Sequence, residues 1–157
     1  MYLYNNFSIK SLEEFIENLW QRRKSYYLQA KLTFKPLEEA AKAGLEIIVI
    51  DHHLGVLEKP QAVAVINPNR VDENFIYKNL CAAGVCFLFV VAINKRLREI
   101  GFYENIKEPN ILSLLDLVAL GTVCDVMPLV GLNRVFVSAG LKILKQSYNK
   151  ILKISDF

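Results

Sequence analysis

Leu45-Glu46-Ile47-Ile48-Val49-Ile50, running into Asp51-His52-His53, decides the fold. The run is apolar at every position but Glu46 and rich in β-branched residues, the length and composition of a strand buried on both faces. A buried strand that delivers polar groups at its carboxyl end is how open α/β sheets build their sites. Both histidines of the chain stand here, directly behind a carboxylate. Neutral imidazole and carboxylate together suit a divalent ion such as Mn²⁺, Zn²⁺ or Fe²⁺, and phosphoryl chemistry is a common use of such an ion. The tripeptide therefore points to a metal-dependent phosphoesterase. On the tripeptide alone, a second reading stands beside it: two partly buried histidines satisfied by backbone groups.

Working upstream, Pro36 is placed to open a short helix, Leu37 to Ala43, which Gly44 closes in a left-handed conformation. Ser11 and Glu14 form a capping box, and Leu12, Phe15, Ile16, Leu19 and Trp20 fall at helical spacing, predicting an amphipathic helix from Leu12 to about Arg22. Downstream, Ala62 to Ile66 reads as a second buried strand ending at Asn67-Pro68-Asn69-Arg70. Leu80 to Arg98 reads as a helix, basic toward its end where Lys95, Arg96 and Arg98 complement the dipole, with Gly101 as the stop. Pro109-Asn110 begins another, with Leu112, Leu115, Ala119 and Leu120 inward, and Gly121 and Pro128 bracket a loop that presents Asp125. A last helix runs from about Arg134 to Lys145, with a tail from Ser147. The predicted class is α/β: a partial parallel sheet flanked by helices.

The 157 residues, 53% hydrophobic and 22% charged, suffice for one domain with a core. A formal charge of +3 is too mild to announce nucleic-acid binding by itself, and Arg22-Arg23-Lys24 reads as a solvated helix face. The apolar stretch Cys81 to Ile93 is 13 residues long, short of the roughly 20 that a membrane helix needs. Cys81, Cys86 and Cys124 lack C-x-x-C spacing and lie in apolar runs, so all three are expected to pack in a core under reducing conditions. With no signal-peptide pattern at the amino terminus, a cytoplasmic location is expected.

Four ordered blocks then carry a family resemblance: Ile47-Ile48-Val49-Ile50-Asp51-His52-His53; Ile66-Asn67-Pro68-Asn69-Arg70; Leu114-Leu115-Asp116-Leu117-Val118-Ala119-Leu120-Gly121-Thr122-Val123-Cys124-Asp125-Val126-Met127-Pro128-Leu129; and Asn133-Arg134. Across about Pro36 to Leu144 the chain resembles the DHH phosphoesterase superfamily, and within it the RecJ-like exonucleases specific for single-stranded DNA. The resemblance implies that His52 and Asp125 are metal ligands and that His53 faces the scissile phosphate; Asp51, by its position at the strand end, is expected to serve the catalytic group by fixing a neighbour through hydrogen bonds. Asp116 is expected to make a structural hydrogen bond, and Gly84 to start a helix near the site. The implied cofactor is Mn²⁺ or Mg²⁺, two ions serving hydrolysis of a phosphodiester, with nucleotides released from the 5′ end of single-stranded DNA.

The implied centre also uses a D-x-D pair and a further aspartate upstream of the DHH. The five aspartates here are Asp51, Asp72, Asp116, Asp125 and Asp156, and the stretch where the bridging aspartate belongs reads Tyr27-Leu28-Gln29-Ala30. The expectation is a truncated chain with half of a metal site, incomplete as a catalyst alone. Residues 1–30 are expected to be helical and unassigned, 31–146 to be a partial DHH phosphoesterase domain, and 147–157 a tail. A partner chain that supplies the missing strands and carboxylates, or self-association through an open edge of a two-stranded sheet, is expected, with no membrane partner. A noncatalytic interaction module retaining the fold is the alternative. A site rebuilt on Glu38, Glu39 and Glu46 is the third possibility.

Overall fold

The central strand is where the β-branched run predicts it. In the computed structural model, which describes residues 25–28, 34–54 and 60–155, β1 (Ser25–Leu28), β2 (Glu46–Ile50) and β3 (Ala64–Ile66) form a parallel sheet in the order β1-β2-β3. Tyr27 pairs with Ile48 and Leu28 with Val49 on one side, and Val49 with Val65 and Ile50 with Ile66 on the other. Ile47, Ile48, Val49 and Ile50 are all buried, so β2 is covered on both faces, as an inner parallel strand requires. Helix α1 (Phe34–Lys42) lies in the connection from β1 to β2, and its Leu37 packs with Ile47 and Val49, flanked by Ala40, Ala62 and Val65.

The chain divides into two compact units, Met1–Lys78 and Asn79–Phe157. The second is helical: α2 (Ala82–Glu99), a 3₁₀ turn (Ile111–Leu114), α3 (Leu115–Cys124) and α4 (Gly131–Ser155). No helix among the described residues is long and apolar enough to cross a membrane.

The helix stops are as expected and have a common cause. Gly44 (φ 78°) and Gly101 (φ 75°) adopt the left-handed conformation. In each case two backbone bonds close the helix end: Gly44 N–H to Ala41 O (2.9 Å) with Leu45 N–H to Ala40 O (3.0 Å), and Gly101 N–H to Arg98 O (3.1 Å) with Phe102 N–H to Leu97 O (2.9 Å).

Several expectations are corrected. Among the described residues the sheet has three strands rather than two, because Ser25–Leu28, placed in a stretch expected to be helical, pairs with β2; four residues are too few to show a period, and their aromatic pair suits a strand. This weakens the two-stranded basis for expecting self-association. Helix α1 begins at Phe34, ahead of Pro36, which still falls in the first turn where its missing N–H is not needed. Strand β3 begins at Ala64 rather than Ala62, although Val63 N–H already donates to Ile47 O at 2.8 Å. Helix α3 buries Leu115, Val118, Ala119 and Thr122, while Leu112 and Leu120 face solvent, because the 3₁₀ turn breaks the 3.6-residue period ahead of it. Gly121 lies inside α3 rather than in a loop, and α4 extends beyond both expected ends. Cys81 is buried, Cys86 half-buried and Cys124 exposed at the end of α3, so the core expectation fails for Cys124. Burial, then neighbouring Cys81, pushes the Cys86 thiol up. The helix expected over Leu12 to Arg22 lies outside the described residues.

Close helix approach organises the second unit. A Cβ on Gly140 would meet Leu115 O at 2.1 Å and Ala119 Cβ at 2.6 Å, and one on Gly121 would meet Ala83 Cβ at 2.8 Å. Neither position has room for a methyl group. Cys81 caps α2, its Sγ accepting from Gly84 N–H at 3.4 Å and lying 3.4 Å from Thr122 Oγ1, which in turn donates to Val118 O at 2.7 Å. Buried Asn94 donates to Glu108 Oε1 at 2.7 Å and accepts from Tyr103 O–H at 2.6 Å, so this polar side chain is satisfied inside α2's packing face.

Candidate functional site

The ladder continues past β2, with Asp51 N–H donating to Ile66 O at 3.0 Å, and that bond fixes Asp51 at the carboxyl end of the middle strand. Here the chain leaves the pleat, and Asp51 organises the two residues after it. Its Oδ1 accepts from His52 N–H at 2.8 Å and from His53 N–H at 3.3 Å, and lies 2.6 Å from His53 Nδ1. Asp51 is the buried partner, its side chain 4% exposed, whereas that of His53 is 57% exposed. A buried carboxylate against Nδ1 selects the Nδ1–H form of the neutral ring and leaves Nε2 available on the exposed side. The two imidazoles sit with centroids 4.5 Å apart and planes at 49°. Asp51 Oδ2 is buried without a hydrogen-bond partner among the described residues.

The Asn-Pro-Asn turn after β3 holds the same backbone from the other side. Asn67 Nδ2 donates to His53 O at 2.9 Å, and Asn69 Nδ2 donates to His52 O at 2.6 Å. Asn67 Oδ1 accepts from Asn69 N–H at 2.8 Å, which fixes the turn that aims both amides. Arg70 is spent locally: Nη1 reaches Val65 O at 2.8 Å, and Nε and Nη2 grip Asp72 at 2.9 and 2.6 Å. The hydrogen bond to Asp72 holds the guanidinium pKa above its ordinary value.

The structure thus brings Asp51, His52 and His53 together in the first unit. Asp125 belongs to the second unit, where it caps α3, with its N–H on Gly121 O at 3.0 Å and its side chain exposed. The next residue, Val126, adopts φ 53°, a left-handed conformation that a β-branched residue rarely tolerates. Bonds from Val126 N–H to Val123 O (3.1 Å) and Met127 N–H to Thr122 O (3.0 Å) enforce it. Asp116 Oδ1 accepts from Leu117 N–H at 2.7 Å, a local structural bond. Gly84 sits in the first turn of α2 and is buried. Glu38 and Glu39 lie on the exposed side of α1. Among the described residues no three of His, Cys, Asp and Glu gather as a metal-holding cluster.

Asn67 and Asn69 are the site residues that motif reading left without a role. Their signal was present: two asparagines around a proline immediately after a strand are the side chains that bond backbone groups in turns.

Comparison with known proteins agrees with this geometry. The DHH family, N-terminal domain, matches residues 28–122. The single-stranded-DNA-specific exonuclease RecJ of Dickeya dadantii (strain 3937) is 45% identical over 107 residues, covering 67% of this chain and 19% of that protein. RecJ of Escherichia coli (strain K12) is 46% identical over 107 residues, covering 67% of this chain and 18% of the relative. Among solved structures, exonuclease RecJ bound to manganese has a TM-score of 0.60 at 29% identity, covering 87% of this chain and 32% of that one. RecJ from Thermus thermophilus in complex with Mn²⁺ has a TM-score of 0.59 at 32% identity, covering 83% and 18%. The chain spans about a fifth of the length of these curated relatives. With the Asp-His-His turn at the end of a middle parallel strand, and a family match running through it, the chain belongs to the DHH family.

Proposed function

We propose that this chain carries the histidine-bearing part of a RecJ-like active site, that of a metal-dependent exonuclease releasing nucleotides from the 5′ end of single-stranded DNA, and that its 157 residues alone are an incomplete catalyst. The observation that carries the reading is the Asp51–His53 pair. With Nδ1 held by buried Asp51 at 2.6 Å, the exposed ring presents Nε2 outward. Protonated, it offers an N–H to a phosphate oxygen; neutral, it offers a lone pair. Such a ring suits contact with a scissile phosphodiester in a DNA strand, a partner found in the cytoplasm.

A divalent ion, Mn²⁺ or Mg²⁺, is the cofactor this reading implies, supported by the manganese of both solved relatives. His52 and Asp125 are the ligands this chain would contribute. One imidazole and one carboxylate fall short of the charge and ligand number that two dications need, and no aspartate precedes Asp51 in these residues. The donor set does not fit a complete two-metal centre. What these residues do by themselves is bind and orient.

Transplanting residues 36–144 in place of the matching segment of the Escherichia coli relative tests the reading. The graft is expected to keep Mn²⁺-dependent release of nucleotides from single-stranded DNA and to lose it in His53→Ala. A folded but inactive graft contradicts it.

A further inference from the structure

We infer that Asn67 and Asn69 are positioning residues that clamp the backbone of the histidine pair and thereby set the orientation and tautomer of His53. Each histidine carbonyl has its own amide donor: His53 O takes Asn67 Nδ2 at 2.9 Å and His52 O takes Asn69 Nδ2 at 2.6 Å. On the opposite side of the same two residues, His52 N–H and His53 N–H point to Asp51 Oδ1. The backbone that carries the imidazoles is therefore held at both its N–H and C=O groups, by the carboxylate just past β2 and by the turn after β3. Asn67 is 4% exposed, and both of its amide atoms are used, one on His53 O and the other on Asn69 N–H.

The histidines need such a clamp because they lie beyond the last ladder bond between β2 and β3. The two amides hold the histidine carbonyls as Asp51 holds the histidine N–H groups, and the 2.6 Å contact that selects the Nδ1–H ring depends on where that backbone stands. Asn67 and Asn69 act through the histidines and are not themselves catalytic. The catalytic consequence rests on the proposed role of His53, but the clamp itself is read without metal or DNA.

The test uses the full 157-residue chain with ¹⁵N in its histidine rings, where only His52 and His53 contribute signals. At a pH well above the ordinary imidazole value of about 6.5, the wild type is expected to show one ring fixed in the Nδ1–H form. Asn69→Ala and Asn67→Asp are each expected to lose that preference, shifting the ring nitrogens toward the averaged values of an unconstrained imidazole, while the amide spectrum of the helical unit stays unchanged. Asn67→Asp keeps the acceptor for Asn69 N–H and replaces the donor to His53 O with a carboxylate oxygen, which repels that carbonyl. Should it fail to fold, Asn69→Ala, at a half-buried position, decides the matter. Retention of the wild-type tautomer in Asn69→Ala overturns the inference, even if its melting temperature drops. A shifted tautomer alongside an inactive graft upholds the clamp and refutes the proposed function instead.

Discussion

The two units are held together in different ways. Around Asp51-His52-His53, the first relies on directional polar bonds: a buried carboxylate and two side-chain amides hold one short stretch of backbone at a sheet's end. The second relies on contact, with helices brought so close at Gly121 and Gly140 that a methyl group has no space. Asp51 and Asn67 are buried at the carboxyl end of the described three-stranded sheet, where their polar groups need partners, and the bonds they make fix the geometry of the turn. Helices that bury broad faces specify position through shape instead.

The contrast is broken most forcefully at Gly140. Gly140→Ala is expected to destabilise the helical unit by about 3 kcal/mol, because the new Cβ meets backbone at Leu115 O and only helix displacement relieves it. Chemical denaturation followed by helical circular dichroism reads this, and a loss below about 1 kcal/mol would show that the helices yield easily. In the first unit, Asp51→Ala strands two backbone N–H groups and the His53 ring, with an expected cost of about 2 kcal/mol. Hydrogen exchange at the Ile47 to Ile50 amides reports it, faster exchange there than in α2 being the predicted pattern.

Val126→Gly is expected to stabilise by about 1 kcal/mol, since it relieves a left-handed β-branched residue that is 87% exposed. A destabilised variant would mean that the side chain has a packing role. The smallest effect belongs to Glu108. Arg98 first, then Asn94, hold its carboxyl below the usual 4.5. A depressed folded value contributes stability above the unfolded value and loses it as pH falls through the folded one. The wild type is therefore expected to lose slightly more stability on acidification below about pH 5 than Glu108→Gln does, measured by melting temperature against pH.

The same physics decides how much was legible in the sequence. The β-branched run named β2, and glycines demanding positive φ named the ends of α1 and α2. The three residues of the Asp-His-His turn were legible because polar groups right after a buried strand have few structural uses. Strand β1 was not, since four residues carry no period. Gly121 read as a breaker because a glycine chosen for close approach to Ala83 looks the same in sequence as one chosen for a turn. The inward face of α3 was legible at Leu115 and Ala119 but not at Leu112 and Leu120, because a 3₁₀ turn upstream shifts the phase. Asn67 and Asn69 were visible as a motif, but their targets lie 14 and 17 residues away, and only the fold brings them to the histidine carbonyls.

The central claim, a histidine half-site that is incomplete alone, is tested most directly by incubating the purified chain with 5′-labelled single-stranded DNA and Mn²⁺ or Mg²⁺. The account predicts no nucleotide release above the level of His53→Ala. Release that chelator abolishes and His53→Ala eliminates would contradict it.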